Sequence, residues 1–143
     1  MSNGTKVKKR DGRIESLDLD KMHLMVDEAC QGLAGVSASQ VEMKSGIQFY
    51  DGITTAEIQE ILIKSASDLI DLDHPNYQFV AARLLLFALR KQLYGRMREF
   101  PSLSDHITKL AYDDVYDKDI FLKYSIEEIK KAEGFIDNDR DFL

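Results

Sequence analysis

The chain is organised around residues 7–22, V-K-K-R-D-G-R-I-E-S-L-D-L-D-K-M, which place a basic hairpin directly before a helix. Asp11-Gly12 predicts a two-residue hairpin with a primed turn, because Asp tolerates positive φ and Gly adopts it freely. Asp18 is the expected N-cap of the helix. Cations beside a helix N-terminus favour the binding of an anionic ligand. The cations around this turn are Lys8, Lys9, Arg10 and Arg13.

Positive charge is local, since the whole sequence carries 19 basic and 25 acidic residues and a net charge of −6. The first 13 residues hold five basic residues and one acidic residue, whereas residues 111–143 hold ten acidic and five basic residues. Nucleic-acid binding is typical of a domain that is basic overall, so a small phosphorylated ligand is the first prediction. A merely solvated basic surface is the alternative. A second basic run comprises Arg83, Arg90, Lys91, Arg96 and Arg98.

Composition and motifs exclude several classes of protein. The 143 residues, 44% hydrophobic, suffice for one core and a small appendage. No apolar run reaches the ~18 residues of a membrane span and no signal peptide is visible, so we expect a cytoplasmic protein. The single Cys30 excludes a disulfide framework, and its helical spacing predicts a core position rather than a catalytic thiol. The common glycine-rich nucleotide loops and paired metal-binding histidines are absent from the sequence.

The hydrophobic pattern predicts a mainly α-helical protein with a small β-hairpin. Helices are expected at about 19–33, 38–49, 55–69, 75–91, 103–112 and 126–135. Capping boxes are predicted at residues 37–40, 54–57 and 125–128. The helix that begins at Pro75 is apolar nearly all round, which predicts the most buried helix of the protein. The composition turns acidic near residue 100, where we expect a domain boundary.

Residues 7–22 resemble the opening signature of the ATP-cone, a regulatory nucleotide-binding module. Three further segments are similar to the large (alpha) subunit of the aerobic class I ribonucleotide reductases. They are I-Q-F-Y-D-G-I-T-T at 47–55, P-N-Y-Q-F-V-A-A-R-L-L-L-F-A-L-R-K-Q-L-Y-G at 75–95 and I-D-N-D-R-D-F at 136–142. The resemblance covers essentially the whole chain.

This resemblance implies a β-hairpin on a bundle of about four helices over residues 1–98, the ATP-cone, followed at 99–143 by short helices that lead to a catalytic barrel missing here. In the family the cone switches overall activity: ATP keeps the enzyme active, and dATP inhibits it by changing subunit assembly. The implied partners are ATP or dATP, Mg²⁺ held by phosphate oxygens, other alpha subunits and the radical-generating beta subunit. Neither nucleic acid nor a membrane is an expected partner.

The resemblance also implies the site residues. By motif position, Lys9 and Lys91 contact phosphates, with Arg10 nearby. Gln59 stands where many bacterial members have His; it can hydrogen-bond a sugar hydroxyl but carries no charge. The motif is compatible with one or with two bound nucleotides. It is also compatible with either ATP or dATP as the ligand that binds more tightly. Taken alone, Lys91 is better interpreted as a helix C-terminal lysine stabilised by the dipole, whereas beside the motif match nucleotide binding is favoured. The base and ribose would be lined by Glu15, Asp18, Lys21, Met22 and Thr55.

The reductase chemistry of the family needs several cysteines, and this chain has one. We therefore expect an N-terminal part of the large subunit that binds nucleotide without turnover, while its parent enzyme makes deoxyribonucleotides for DNA replication. Two alternatives stay open. A transcriptional repressor with an ATP-cone would carry paired C-x-x-C motifs of a zinc ribbon, and a helical interaction module would bind no ligand.

Overall fold

Seven α-helices and a three-stranded sheet occur in the part of the chain that the computed structural model describes, residues 4–95 and 99–142. The chain divides into two compact units, Met1–Leu93 and Tyr94–Leu143, hereafter the first and second unit. The predicted boundary at 98/99 adjoins residues outside the described ranges and stays a prediction.

The sheet combines the hairpin with a strand from further along the chain. Strand β1 (Lys6–Lys8) pairs antiparallel with β2 (Ile14–Ser16) and parallel with β3 (Ile53–Thr54). Val7 and Ile53 lie opposite each other in the β1–β3 pair, and both are buried. The sequence indicated only a turn before residue 54, so β3 was not predicted. Its pairing fixes the start of the following helix beside the end of β1.

The hairpin turn differs from the predicted two-residue primed turn. The Lys9 N–H donates to the Arg13 carbonyl at 2.8 Å and the Gly12 N–H donates to the Lys9 carbonyl at 3.0 Å. Gly12 has a φ of 86°, whereas Asp11 is not among the described residues with positive φ. The loop is therefore three residues long, with glycine at the left-handed position that this class of hairpin requires. Compared with the predicted two-residue loop of Asp11 and Gly12, the additional loop residue is Arg10.

The helices confirm the mainly α-helical prediction. The first unit contains α1 (Leu19–Cys30), α2 (Ala38–Gly46), α3 (Thr55–Ser67) and nearly all of α4 (Tyr77–Tyr94). The second contains α5 (Leu103–Tyr112), α6 (Ile120–Lys123), α7 (Ile126–Glu133) and a 3₁₀ turn at Asn138–Phe142. Helix α6 was not predicted, because four residues are too few to show a hydrophobic period.

Helix α4, which was predicted to be the most buried helix, buries one face only. Val80, Leu84 and Phe87 are buried, whereas Leu85 and Leu89 on the other side are 57% and 47% exposed. None of the described helices is long and apolar enough to cross a membrane. The remaining large apolar core residues of the first unit come from β1, β3, α1, α2, α3 and the start of α4: Val7, Met22, Val26, Val41, Ile53, Ile58, Leu62 and Tyr77.

Two of the three predicted capping boxes are confirmed, at Thr54–Glu57 and Ser125–Glu128. The box predicted at Ser37 is wrong, since its side chain makes no capping hydrogen bond. Instead the Ser37 N–H donates to the hydroxyl of Tyr77 at 3.0 Å, and this hydroxyl donates to Gln40 at 3.3 Å. A tertiary contact from α4 thus replaces the local cap.

We expect Thr54→Ala to lower the free energy of unfolding by about 1 kcal/mol, because its hydroxyl accepts from the Glu57 N–H at 3.2 Å at the start of α3. Ser37→Ala is the matched control, with an expected change below about 0.5 kcal/mol. Urea unfolding followed by circular dichroism measures both. Equal losses in the two variants would contradict the assignment of caps.

Candidate anion-binding site

Four cations from three elements converge in the first unit. Lys9 and Arg10 belong to the hairpin, Lys21 to the first turn of α1, and Lys91 to the last turn of α4. The pKa of Lys91 is lowered from its ordinary value, first by partial burial and then by repulsion from Lys21, Lys9 and Arg10. Repulsion of this kind falls off with distance, so Lys9, Arg10 and Lys21 each lie within electrostatic reach of the Lys91 ammonium. The four cations are called the cationic cluster below.

Local structure positions each member of the cationic cluster. The Arg10 Nη1 donates to the Lys91 carbonyl at 3.1 Å, which ties the hairpin turn to the end of α4. The Lys21 backbone N–H donates to Asp18 Oδ1 at 2.9 Å, so the predicted N-cap is confirmed and fixes the first turn of α1. The pairing of Lys8 with Thr54 in the sheet brings the end of β1, and hence Lys9, to the start of α3.

Acidic side chains compensate the cationic cluster only in part. Lys9 Nζ lies 3.5 Å from Glu15 Oε2, but Glu15 also accepts from Arg13 Nη1 at 3.1 Å. Among the described residues, no carboxylate forms an ion pair with Arg10, Lys21 or Lys91. The cluster therefore retains positive charge that an anionic ligand can neutralise.

The other predicted site residues lie in three different regions of the first unit. Glu15 and Asp18 flank the cationic cluster through the contacts above. Met22 is buried on the core side of α1, with 9% of its surface exposed. Thr55 begins α3 and is half-buried, and Gln59 follows one turn later on the same helical face. Of these residues, Glu15 and Asp18 contact members of the cationic cluster, whereas Met22 faces the core.

Gln59 is a buried polar residue beside a cavity. Its side chain is 8% exposed, and within the described ranges its amide has no hydrogen-bond partner. Together with Arg10 it lines a cavity of about 230 Å³ between α3 and α4. The amide can therefore hydrogen-bond a ligand group that enters this space. The other lining residues are Ala56, Glu60, Ile63, Leu85, Ala88, Leu89 and Gln92.

The second basic run serves mainly the fold. Arg83 Nη1 donates to the carbonyls of Ala29 at 3.1 Å and Gln31 at 2.7 Å, which holds the end of α1. Arg90 is only 5% exposed. Arg83, Phe87 and Arg90 have the spacing i, i+4 and i+7, which places them on one face of α4. Arg96 and Arg98 lie outside the described residues.

Other candidates for chemistry are weak. Burial raises the pKa of the Cys30 thiol, which opposes thiolate formation at neutral pH, and the side chain is half-buried. Across residues 4–95 and 99–142, no three His, Cys, Asp or Glu side chains come together as a potential metal site.

A basic hairpin on a helical unit, with uncompensated cations where hairpin and helices meet, is the arrangement of an anion-binding module. The family model described as the ATP cone domain matches residues 5–92, and the chain belongs to this family.

The curated relatives are alpha subunits of ribonucleoside-diphosphate reductase. The chain is 50% identical over 141 residues to the Escherichia coli (strain K12) subunit alpha of reductase 1, and 48% identical to its Salmonella typhimurium counterpart. The Haemophilus influenzae subunit alpha is also 48% identical. Each match covers 99% of this chain but 18% of the relative. The chain thus spans less than a fifth of the length of these relatives.

Proposed function

We propose that the ATP-cone of this chain, residues 1–98, is an allosteric site for ATP or dATP whose triphosphate binds at the cationic cluster, to Lys9, Arg10 and Lys91. The observation that carries the proposal is the convergence of Lys9, Arg10, Lys21 and Lys91, three of which have no carboxylate partner among the described residues. Bringing like charges together costs free energy in the unliganded protein. A polyanion removes that cost, which favours binding.

Within this proposal the residues have separate tasks. Lys9 and Lys91 bind phosphate oxygens with Arg10, and Mg²⁺ is held mainly by the phosphates. The Gln59 amide, which has no hydrogen-bond partner in the described structure, supplies a neutral hydrogen bond to the sugar or base. Met22 supports the site from the core side of α1. The uncharged part of the nucleotide lies among Glu15, Asp18, Lys21 and Thr55.

The names of the relatives suggest the wider role. We infer that this chain is part of the alpha subunit of a cytoplasmic ribonucleoside-diphosphate reductase that makes deoxyribonucleotides for DNA replication. ATP in the cone keeps this enzyme active, whereas dATP inhibits it by changing how the alpha subunits assemble with one another and with the radical-generating beta subunit. Residues 99–143 begin the catalytic domain, since the similarity to the alpha subunits continues beyond residue 92, where the cone match ends.

Isothermal titration of the 143-residue protein with ATP and with dATP, each with Mg²⁺, tests the proposal. We expect micromolar dissociation constants, and Lys9→Ala should weaken binding by about 1.5 to 3 kcal/mol, the typical value of a charge-assisted hydrogen bond. A melting shift should accompany binding, because a ligand specific for the folded state stabilises it by mass action.

Lys64→Ala is the matched control. Lys64 occupies the last turn of α3, as Lys91 does in α4, but its ammonium pairs with Asp68 at 3.0 Å. It should bind nucleotide like the wild type. If neither nucleotide gives heat or a melting shift at millimolar concentration, the proposal is wrong and an interaction module without a ligand is favoured. Equal losses in the two variants would show only a general charge effect.

A further inference from the structure

The carbonyl of Lys91 belongs to the last turn of α4, where a helix leaves four carbonyl groups without an intrahelical donor or with a weakened one. The Arg10 guanidinium reaches this turn from 81 residues earlier in the chain and donates to that carbonyl at 3.1 Å. A cation at a helix C-terminus also interacts favourably with the helix dipole. Arg10 is thus a tertiary cap of α4.

Arg10 differs from the neighbouring cations of the hairpin in its bonding. Lys9 is held by Glu15, and Arg13 is held by both Asp11 and Glu15. Within residues 4–95 and 99–142, the guanidinium of Arg10 has a neutral carbonyl as its hydrogen-bond acceptor and no carboxylate. Arg10 therefore holds the weakest acceptor of the three, although it lies in the cationic cluster.

We propose that Arg10 is a ligand-sensitive cap: it stabilises the last turn of α4 in the unliganded protein and leaves the Lys91 carbonyl when a phosphate group occupies the cationic cluster. The second half of this statement rests on the proposed nucleotide function, whereas the first half does not. A phosphate oxygen is a charged acceptor, and hydrogen bonds to charged acceptors are roughly twice as strong as those to neutral ones. Where a phosphate oxygen and the Lys91 carbonyl compete for the Nη1 donor of Arg10, the exchange of partner therefore favours the phosphate.

The last turn of α4 lies where the chain leaves the first unit, so a change of the Arg10 hydrogen-bond partner affects this connection. Helix α4 ends at Tyr94, and the second unit begins at the same residue. The turn that Arg10 caps is therefore the segment through which the chain leaves the first unit. Loss of the cap loosens this turn, so occupancy of the cationic cluster is converted into a change in the order of the connecting helix end.

Hydrogen exchange read by mass spectrometry on the 143-residue protein tests both halves. In the unliganded protein, Arg10→Gln should raise exchange of the amides at 91–95 by roughly 3- to 10-fold, the effect of losing one net hydrogen bond. Arg13→Gln is the matched control, because it removes an arginine from the same turn that bonds only to acids of the hairpin, and it should leave these amides unchanged.

Saturating ATP with Mg²⁺ should raise exchange at 91–95 in the wild type while it protects the hairpin and the start of α1. In Arg10→Gln it should cause no further rise at 91–95. Equal exchange of the two unliganded variants overturns the cap. Protection of the hairpin without a rise at 91–95 overturns the ligand-sensitive step. No protection anywhere refutes nucleotide binding itself, while the unliganded comparison still decides whether Arg10 caps α4.

Discussion

Replacing Lys91 by Met is expected to weaken nucleotide binding by about 30- to 1,000-fold, which corresponds to roughly 2–4 kcal/mol for a partly buried charge that pairs with a ligand. The same substitution is expected to stabilise the unliganded protein by on the order of 0.5 kcal/mol, or about 2–4 °C in melting temperature. Both effects have one cause, since Lys91 is desolvated and repelled by three neighbouring cations until an anion arrives. Titration calorimetry and thermal melting measure them separately.

The pH dependence of the free energy of unfolding identifies Lys91 as the group that is responsible. The folded state lowers the pKa of Lys91, so between this lowered pKa and the ordinary value the unfolded chain binds more protons than the folded one. The contribution of Lys91 to the free energy of unfolding therefore rises with pH across that window. Below the window Lys91 is protonated in both states, and its destabilising effect on the folded state is fully present. Nucleotide affinity changes in the opposite direction, falling as Lys91 loses its proton. Lys91→Met should remove both dependences.

Lys64→Met is the control for this experiment. Its ammonium is exposed and paired with Asp68, so its removal relieves no repulsion within the cationic cluster. We expect unchanged affinity and no gain in stability. A wild-type melting temperature in Lys91→Met, together with full affinity, would contradict the cluster and return Lys91 to the role of a helix C-terminal lysine that interacts only with the dipole.

Features that depend on a few consecutive residues could be predicted from the sequence. The N-cap Asp18 and the capping boxes at Thr54 and Ser125 were correct, because a cap is a contact across three residues. The hairpin was predicted for the same reason. Its turn was not, because Asp11-Gly12 fits both a two-residue loop and a three-residue loop with glycine last, and the register of the strands decides between them.

Features that depend on distant residues could not be predicted from spacing. The failed cap at Ser37 depends on Tyr77, forty residues later, and β3 is defined only by its pairing with β1. The candidate site is of the same kind. Lys9 and Lys91 were identified as site residues from the resemblance to a family. Their proximity in space and the hydrogen bond from Arg10 to the end of α4 appear only in the folded structure.

Phe87→Ala is expected to lower the free energy of unfolding of the first unit by about 3–5 kcal/mol, through lost apolar burial and the cavity that remains. The ring is 2% exposed on the buried face of α4. A loss of this size is a large part of the 5–15 kcal/mol typical of a domain, so the variant should unfold at much lower urea concentration. Urea unfolding followed by circular dichroism measures the change.

Leu85→Ala on the opposite face of α4 is the matched control, because Leu85 is 57% exposed and its truncation should cost less than about 1 kcal/mol. The sequence does not separate the two positions, since apolar residues surround this helix almost completely and its period carries little information. The contrast between the variants therefore measures which face the fold buries. If both substitutions cost several kcal/mol, both faces of α4 are covered in solution, which would contradict the one-sided burial of this helix.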